Sequence, residues 1–213
     1  MRCNDPASMD PAVWAVLEEY EARAQREEQL WNTLSAEERT RRRDEMLLPV
    51  GRAAGTLMNL LVKEAQARRV LEVGSSYGYS TTWLAEAARA VGGKVISLEL
   101  LGAKTEYARA QLASAGLEQY VEFRVGDALA SLRQLAGPFD FVLIDLWKNL
   151  YVPVFELLHP KLAHGALIVA DNMLQPESAR ADARAYRQRV RAAADMSSVL
   201  LAVGNGLELS RYQ

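Results

Sequence analysis

The residues best placed to do chemistry stand just past two apolar runs. Phe141-Val142-Leu143-Ile144 leads into Asp145-Leu146-Trp147-Lys148, and Ala166-Leu167-Ile168-Val169-Ala170 leads into Asp171-Asn172. Short apolar runs of this kind read as buried strands. If the two strands are neighbours, Asp145, Asp171 and Asn172 aim two carboxylates and an amide oxygen at one point. Such a set suits a hard cation such as Mg²⁺, Ca²⁺ or Mn²⁺, and a substrate with two adjacent oxygens can fill positions the protein leaves open. Zinc is disfavoured, because His159 and His164 are expected on a helix and in a turn outside this cluster. Lys148 can accept or steer the proton of a hydroxyl if the nearby cation depresses its pKa. A phenol with a pKa of about 10 is only about 0.1% ionised at pH 7, so its oxygen needs such help before it attacks.

The elements that must position these residues follow from the pattern around them. From Arg69 onward extended runs alternate with helical ones, with strands expected near 69–73, 94–99, 120–125, 139–145 and 165–170. Helices are expected near 51–66, 80–91, 103–115, 127–135, 149–162 and 177–194. This alternation predicts an α/β fold, a mostly parallel sheet with helices on both faces. Two further runs near 197–203 and 206–212, joined by Gly204-Asn205, predict an antiparallel hairpin at the sheet edge, making seven strands. Ahead of the sheet, Asp10-Pro11 marks a helix start, and Ser35-Ala36-Glu37-Glu38 has the capping-box pattern of a second. The expectation is one domain over 1–213, with a helical cap over 10–46 and a core over 47–213.

The first strand, Val70-Leu71-Glu72-Val73, runs into Gly74-Ser75-Ser76-Tyr77-Gly78-Tyr79-Ser80, a glycine-bearing turn and a helix start. Turns of this kind let a ligand approach the backbone at the carboxyl ends of the strands. The glycines are spaced Gly74-x-x-x-Gly78, not as the dinucleotide fingerprint, and Glu72 adds negative charge at the strand end. A cationic ligand therefore fits better than a pyrophosphate. Glu99 ends the second strand, where an acid can accept both hydroxyls of a ribose. Gly126-Asp127-Ala128 ends the third and offers an acceptor and backbone groups to an adenine edge.

Composition narrows the classes further. Half of the 213 residues are hydrophobic, enough for a sizeable core, and the formal charge of −2 supplies no basic excess for a nucleic acid partner. The Arg41-Arg42-Arg43 run is interleaved with acids and reads as a solvated helix face. Cys3 is the only cysteine, which excludes a disulfide scaffold and a cysteine zinc site. With no membrane-length apolar run and no leader-like start, a cytoplasmic location is expected.

Taken together, Leu71-Glu72-Val73-Gly74, Asp145-Leu146-Trp147-Lys148-Asn149-Leu150-Tyr151 and Ala170-Asp171-Asn172 resemble the metal-dependent O-methyltransferases of the catechol and caffeoyl-CoA type. The resemblance covers about 46–212 and implies a Rossmann-like class I methyltransferase that uses S-adenosylmethionine and Mg²⁺ on a small catechol-like acceptor. It implies metal ligands Asp145, Asp171 and Asn172, with Lys148 and Asp145 in the chemistry. Donor contacts would come from Val50, Glu72, Gly74, Ser75, Tyr77, Gly78, Ser80, Glu99, Asp127, Ala128, Asp145 and Trp147. Trp147, Val50-Gly51-Arg52-Ala53-Ala54-Gly55 and Pro176 are similar to the catechol branch. That branch holds the second hydroxyl with a glutamate, where this chain has Val199, and flanks the ring with a tryptophan, where Met46 stands. A homodimer is compatible with the resemblance. The alternatives are a methyltransferase of hydroxylated tRNA bases, supported only by the arginine run, and a non-catalytic donor-binding module.

Overall fold

The structure, a computed structural model, describes residues 9–213. Cys3 lies outside the described residues. Helix α1 (Pro11–Thr33) starts where Asp10 accepts from the Ala12 backbone N–H at 3.0 Å, and it buries Val13, Val16, Leu17 and Tyr20. Helix α2 (Ala36–Arg42) carries the full reciprocal capping box. Glu38 N–H donates to Ser35 Oγ at 3.2 Å, and Ser35 N–H donates to Glu38 Oε2 at 2.8 Å.

Seven strands follow: β1 (Arg69–Val73), β2 (Lys94–Glu99), β3 (Val121–Val125), β4 (Phe139–Ile144), β5 (Leu162–Ala170), β6 (Met196–Leu201) and β7 (Leu207–Tyr212). They form one sheet in the order β3-β2-β1-β4-β5-β7-β6, parallel except for β7 against its two neighbours. Helices α3 (Arg52–Glu64), α4 (Tyr79–Ala90) and α5 (Gly102–Ser114) join α1 in one core, which takes Val70, Phe141 and Leu143 from the sheet. Helices α6 (Ala128–Gln134), α7 (Tyr151–Leu158) and α8 (Arg180–Arg191) cover the other face over Leu71, Val73, Val142 and Ile144. Alternate residues of one strand feed opposite cores, which is why β4 reads as a continuous apolar run over Phe141–Ile144 and β1 as Val70, Leu71 and Val73 around the buried Glu72.

Register sets the site. Val73 pairs with Ile144, and Ile144 pairs with Ala170, so β1, β4 and β5 end level with one another. Asp145 N–H donates to Val73 O at 2.9 Å and Asp171 N–H to Ile144 O at 3.1 Å, which brings both acids out side by side. Strand order reverses between β1 and β4, where sheets of this kind open a crevice beyond the carboxyl ends.

The closing antiparallel hairpin forms at the sheet edge as expected, docked through β7, which lies between β5 and β6 and leaves β6 outermost. β7 holds Leu207, Glu208 and Ser210 buried, and an interior place gives its backbone partners on both sides. Two expectations are corrected. The helix expected over 149–162 is shorter, flanked by 3₁₀ turns at Lys148–Leu150 and His159–Lys161, since Pro160 has no N–H to continue it. His164, expected in a turn, lies within β5, which starts at Leu162.

Candidate active site

At the ends of β4 and β5, Lys148 binds three acceptors. Its Nζ donates to Asp145 Oδ1 at 3.1 Å, to the Leu146 carbonyl at 2.9 Å and to the Tyr151 hydroxyl at 2.7 Å. Three acceptors satisfy the three N–H bonds of an ammonium. The Tyr151 hydroxyl in turn donates to the Asp171 carbonyl at 3.1 Å, tying the two strand ends together through one side chain. Tyr151 is fully buried, packs edge-on against Tyr186 at 5.5 Å, and is held well above its usual pKa by burial, so it stays neutral.

Asp171 is 1% exposed, and its Oδ1 has no hydrogen-bond partner among the described residues. Burial first, then the neighbouring Asp145 charge, push its carboxyl up to about 8, against the pull of the Asn172 N–H and Lys148. A buried carboxylate oxygen without a donor beside a second carboxylate is a site that lacks positive charge. Asn172 sits in the left-handed region at φ 59°, which asparagine tolerates, and its side chain has no hydrogen-bond partner among the described residues. The following backbone is pinned to the β6–β7 turn, with Met173 N–H donating to Gly206 O and Leu174 and Gln175 N–H to Asn205 O. Among the described residues no three His, Cys, Asp or Glu side chains cluster as metal ligands, and the set here is two acids with an amide. Its oxygen-only character and the orphaned Oδ1 fit a hard divalent cation.

The β1 turn is arranged differently from a simple ligand loop. Glu72 is fully buried and accepts from Ser80 Oγ and Thr81 Oγ1 at 2.6 Å and from Ser97 Oγ at 2.7 Å. Burial outweighs the three hydroxyls and raises it to about 7. Ser80, expected beside the donor, donates its hydroxyl to Glu72. Ser75 Oγ, by contrast, is buried without a hydrogen-bond partner among the described residues. Gly74 and Gly78 are dictated by close approach: a Cβ on Gly74 would lie 2.1 Å from the Asp145 carbonyl oxygen, and one on Gly78 2.6 Å from Ala108 Cβ. Tyr77 joins the turn to the cap, since its hydroxyl donates to Glu45 O, its carbonyl accepts from Tyr20, and Arg23 stacks on its ring.

Glu99 accepts from Ser76 N–H at 2.8 Å and Leu101 N–H at 3.0 Å, which fixes its orientation at the end of β2. Asp127 caps α6 by accepting from Ala130 N–H at 2.7 Å, the ordinary role of an aspartate before a helix, with Ala128 as the first helical residue. Val50 and Met46 are both buried. Trp147 is 46% exposed and carries the Arg43 guanidinium 4.7 Å from its ring centroid. Val199 is exposed on the edge strand β6 opposite Leu209.

Sequence reasoning missed Tyr151, Thr81, Ser97 and Arg43. Tyr151 had a signal, since it lies three residues after Lys148 at the start of a helix. The others are brought in by tertiary neighbours and carry none.

The strand order, the crevice at the β1/β4 reversal and the acids at successive strand ends define the class I methyltransferase fold. Within that class the chain belongs to the O-methyltransferase family, whose model matches residues 21–212. It is 41% identical over 147 residues to a catechol O-methyltransferase of Mycobacterium tuberculosis, an alignment covering 66% of each chain. The match thus spans just under two thirds of that relative's length. Caffeoyl-CoA O-methyltransferase 2 of Populus trichocarpa is 32% identical over 180 residues, covering 74% of this chain and 72% of the relative. An O-methyltransferase from Bacillus cereus, solved in complex with SAH, superposes with a TM-score of 0.75 at 28% identity, covering 96% of this chain and 91% of that one.

Proposed function

We propose that this chain transfers the methyl group of S-adenosylmethionine to a hydroxyl of a small vicinal hydroxy-aromatic, assisted by a divalent cation such as Mg²⁺. The observation that carries this reading is the level emergence of Asp145 and Asp171 from β4 and β5, with Asp171 Oδ1 unpartnered and Lys148 hydrogen-bonded to Asp145. Asp145, Asp171 and Asn172 would hold the cation, which when bound supplies positive charge to an oxygen losing its proton. Lys148 stands beside Asp145, placed to receive or steer the hydroxyl proton. The oxygen then forms the new bond to the methyl carbon as the carbon–sulfur bond breaks, and the electron pair stays on sulfur, turning a sulfonium into a thioether.

The donor half supports a cationic ligand. Glu72 places a carboxyl beneath the β1 turn, Ser75 Oγ offers an unused polar group, and Glu99 is oriented for ribose hydroxyls. Asp127 has committed one oxygen to its cap and offers the other, with Ala128, to the adenine edge. Val50, Gly74, Tyr77, Gly78 and Ser80 then shape the turn, and Trp147 stands at the rim. In-line transfer depends on alignment, to which positioning contributes on the order of 7–11 kcal/mol. The tRNA reading loses local support, since Arg42 pairs with Glu45 at 2.8 Å and Arg43 lies over Trp147.

The test is a screen of catechols, flavonoids and caffeoyl conjugates with labelled donor. EDTA abolishes transfer and Mg²⁺ restores it, while Lys148→Ala lowers turnover far more than donor affinity. Full activity without metal sinks the cation role, and unchanged turnover in Lys148→Ala removes the lysine from the chemistry.

A further inference from the structure

The amino ends of β1, β2 and β3 carry a second charged feature, at the opposite end of the sheet from the candidate active site. Register pairs Arg69 with Lys94, Leu71 with Ile96, and Ile96 with Glu122. Leu71 and Ile96 side with the core under α6, so Arg69, Lys94 and Glu122 stand on that same face. The helix above them is short: α6 has seven residues and spans about 10 Å, against about 20 Å for β2. It starts beside the carboxyl ends, just after β3, and its two turns run out before the amino ends are covered. What remains is a groove of about 430 Å³, with the partly buried Ile96 as its floor and Arg68, Arg69, Gly92, Lys94 and Glu122 around it.

Positive charge is in surplus there. The Arg69 guanidinium donates to the carbonyls of Ala136 at 2.7 Å and Gly137 at 3.3 Å, and lies 5.3 Å from the Phe139 ring centroid. Carbonyls orient a guanidinium without neutralising it, and most of its five N–H groups stay uncommitted. The Arg68 and Lys94 side chains have no ion pair or hydrogen bond among the described residues. Their backbones touch, since Lys94 N–H donates to Arg68 O at 2.8 Å and a Cβ on Gly93 would lie 2.6 Å from the Arg68 backbone. Asp140 spends one oxygen on the backbone N–H groups of Arg68 and Arg69, at 2.9 and 2.8 Å, and Glu122 is paired with Arg124 at 2.9 Å. Helices α3 and α4 end just before Arg68 and Gly92, and each carbonyl end supplies about half a negative charge. Set against three cations, Asp140 and the two helix ends leave about one positive charge unmet.

We propose that this groove is a second ligand site, for a small phosphate monoester carrying an apolar ring, with Arg68, Arg69 and Lys94 around the phosphate and the ring over Ile96. The site stands independently of the methyl-transfer reading. A phosphate monoester offers three terminal oxygens, one for each cation, where a carboxylate offers two. Arg69 is already held in place by its carbonyls, so little of its freedom is lost on binding. A volume of about 430 Å³ has the scale of a small-molecule site and not of a polynucleotide track.

Amide NMR of the full chain reads this site without turnover. Inorganic phosphate and phenyl phosphate are titrated at constant ionic strength. Saturable shifts are expected at Gly92, Gly93 and Lys94, with phenyl phosphate binding at least about threefold tighter through its ring. Arg68→Ala and Lys94→Ala change exposed side chains, and each should weaken phenyl phosphate about tenfold. Glu122→Gln removes the carboxylate that borders the groove and should tighten binding about threefold, a gain that misfolding cannot produce. Arg133→Ala, an exposed cation outside the groove, should leave binding unchanged. Absence of saturable shifts at these amides overturns the proposal, as does no gain in Glu122→Gln or a loss in Arg133→Ala equal to that in Lys94→Ala. Equal binding of the two probes overturns the placement of a ring over Ile96. Vesicles of phosphatidylglycerol in phosphatidylcholine, and tRNA, test the other sources of phosphate. Binding to either that depends on Arg68 and Lys94, without saturable binding of phenyl phosphate, also overturns the proposal.

Discussion

Tyr151→Phe removes a single hydroxyl from the middle of the candidate site. That hydroxyl accepts from Lys148 Nζ at 2.7 Å and donates to the Asp171 carbonyl at 3.1 Å. Phenylalanine keeps the ring against Tyr186, so packing is conserved and the change is confined to two hydrogen bonds. A bond from a charged donor contributes about 1.5–3 kcal/mol and a neutral one about 1 kcal/mol. Lys148 retains Asp145 Oδ1 and the Leu146 carbonyl, and with its side chain 14% exposed it can recruit water, so only part of that sum is lost. We expect the variant to lose about 1–3 kcal/mol in urea denaturation. Lys148 also loses the contact that fixes its amine relative to the end of β5. Displacement of a reacting group by about 1 Å can cost on the order of 100-fold in rate. Initial rates with labelled donor should show kcat lower by about 10- to 100-fold, with KM for the donor changed less than about twofold. Wild-type stability together with wild-type kcat would refute the argument that Tyr151 holds the lysine in place.

Acidity provides a second check. Asp171 is raised from its ordinary 3.8 to about 8 and Glu72 from 4.5 to about 7, so the folded metal-free chain keeps protons that the unfolded chain has lost. These groups favour folding fully below about pH 4 and progressively less as pH rises to about 8, at up to about 1.4 kcal/mol per pH unit for each. Urea midpoints at pH 5 and 8 should show that decline, flattened by Mg²⁺ and by Asp171→Asn; the same slope in both arms would contradict it. Glu72→Gln keeps a group for the three hydroxyls to meet but removes the charge, and donor affinity by calorimetry should fall about tenfold; an unchanged affinity would detach Glu72 from the sulfonium. Gly74→Ala places a Cβ 2.1 Å from the Asp145 carbonyl oxygen at φ +96°, so a loss of at least about 2 kcal/mol is expected in denaturation, and a neutral result would show that the two turns can separate.

The legible parts of this fold and site were those that local pattern controls. Apolar runs ending in acids located β1, β2, β4 and β5, and because Asp145 and Asp171 each follow the last strand residue directly, level strands were enough to bring them together. The Ser35 capping box, the Asp10 cap and the Gly74 turn were readable for the same reason. What depends on neighbours distant in sequence was not. Ser97 reaches Glu72 from β2, and Arg43 reaches Trp147 from the cap, across contacts that no spacing encodes. The order β5-β7-β6 escaped because a hairpin can dock by either strand with the same local pattern, and only the burial of Glu208 and Ser210 decides between them. Asp127 looked like a ligand acceptor and is also a helix cap, since both roles ask for an exposed oxygen at the same turn.

The same three strand ends explain why the site costs the fold something. Glu72, Asp145 and Asp171 crowd carboxyls at the carboxyl edge of β1, β4 and β5, and Asp145 raises the other two. Lys148 is hydrogen-bonded to Asp145 alone of the three, so its single charge leaves the cluster short of compensation. A sheet selected only for stability would place hydrophobic or hydroxyl residues there. The deficit is useful if the missing charge arrives with ligands: a sulfonium donor beside Glu72 and a divalent cation between Asp145 and Asp171 would each relieve repulsion that the protein alone cannot. Because Asp145 interacts with both sides, binding of one cation alters the field felt by the other, and the two should be linked thermodynamically. Donor affinity measured with and without Mg²⁺ gives the size of that coupling, and the effect of donor on Mg²⁺ affinity must match it.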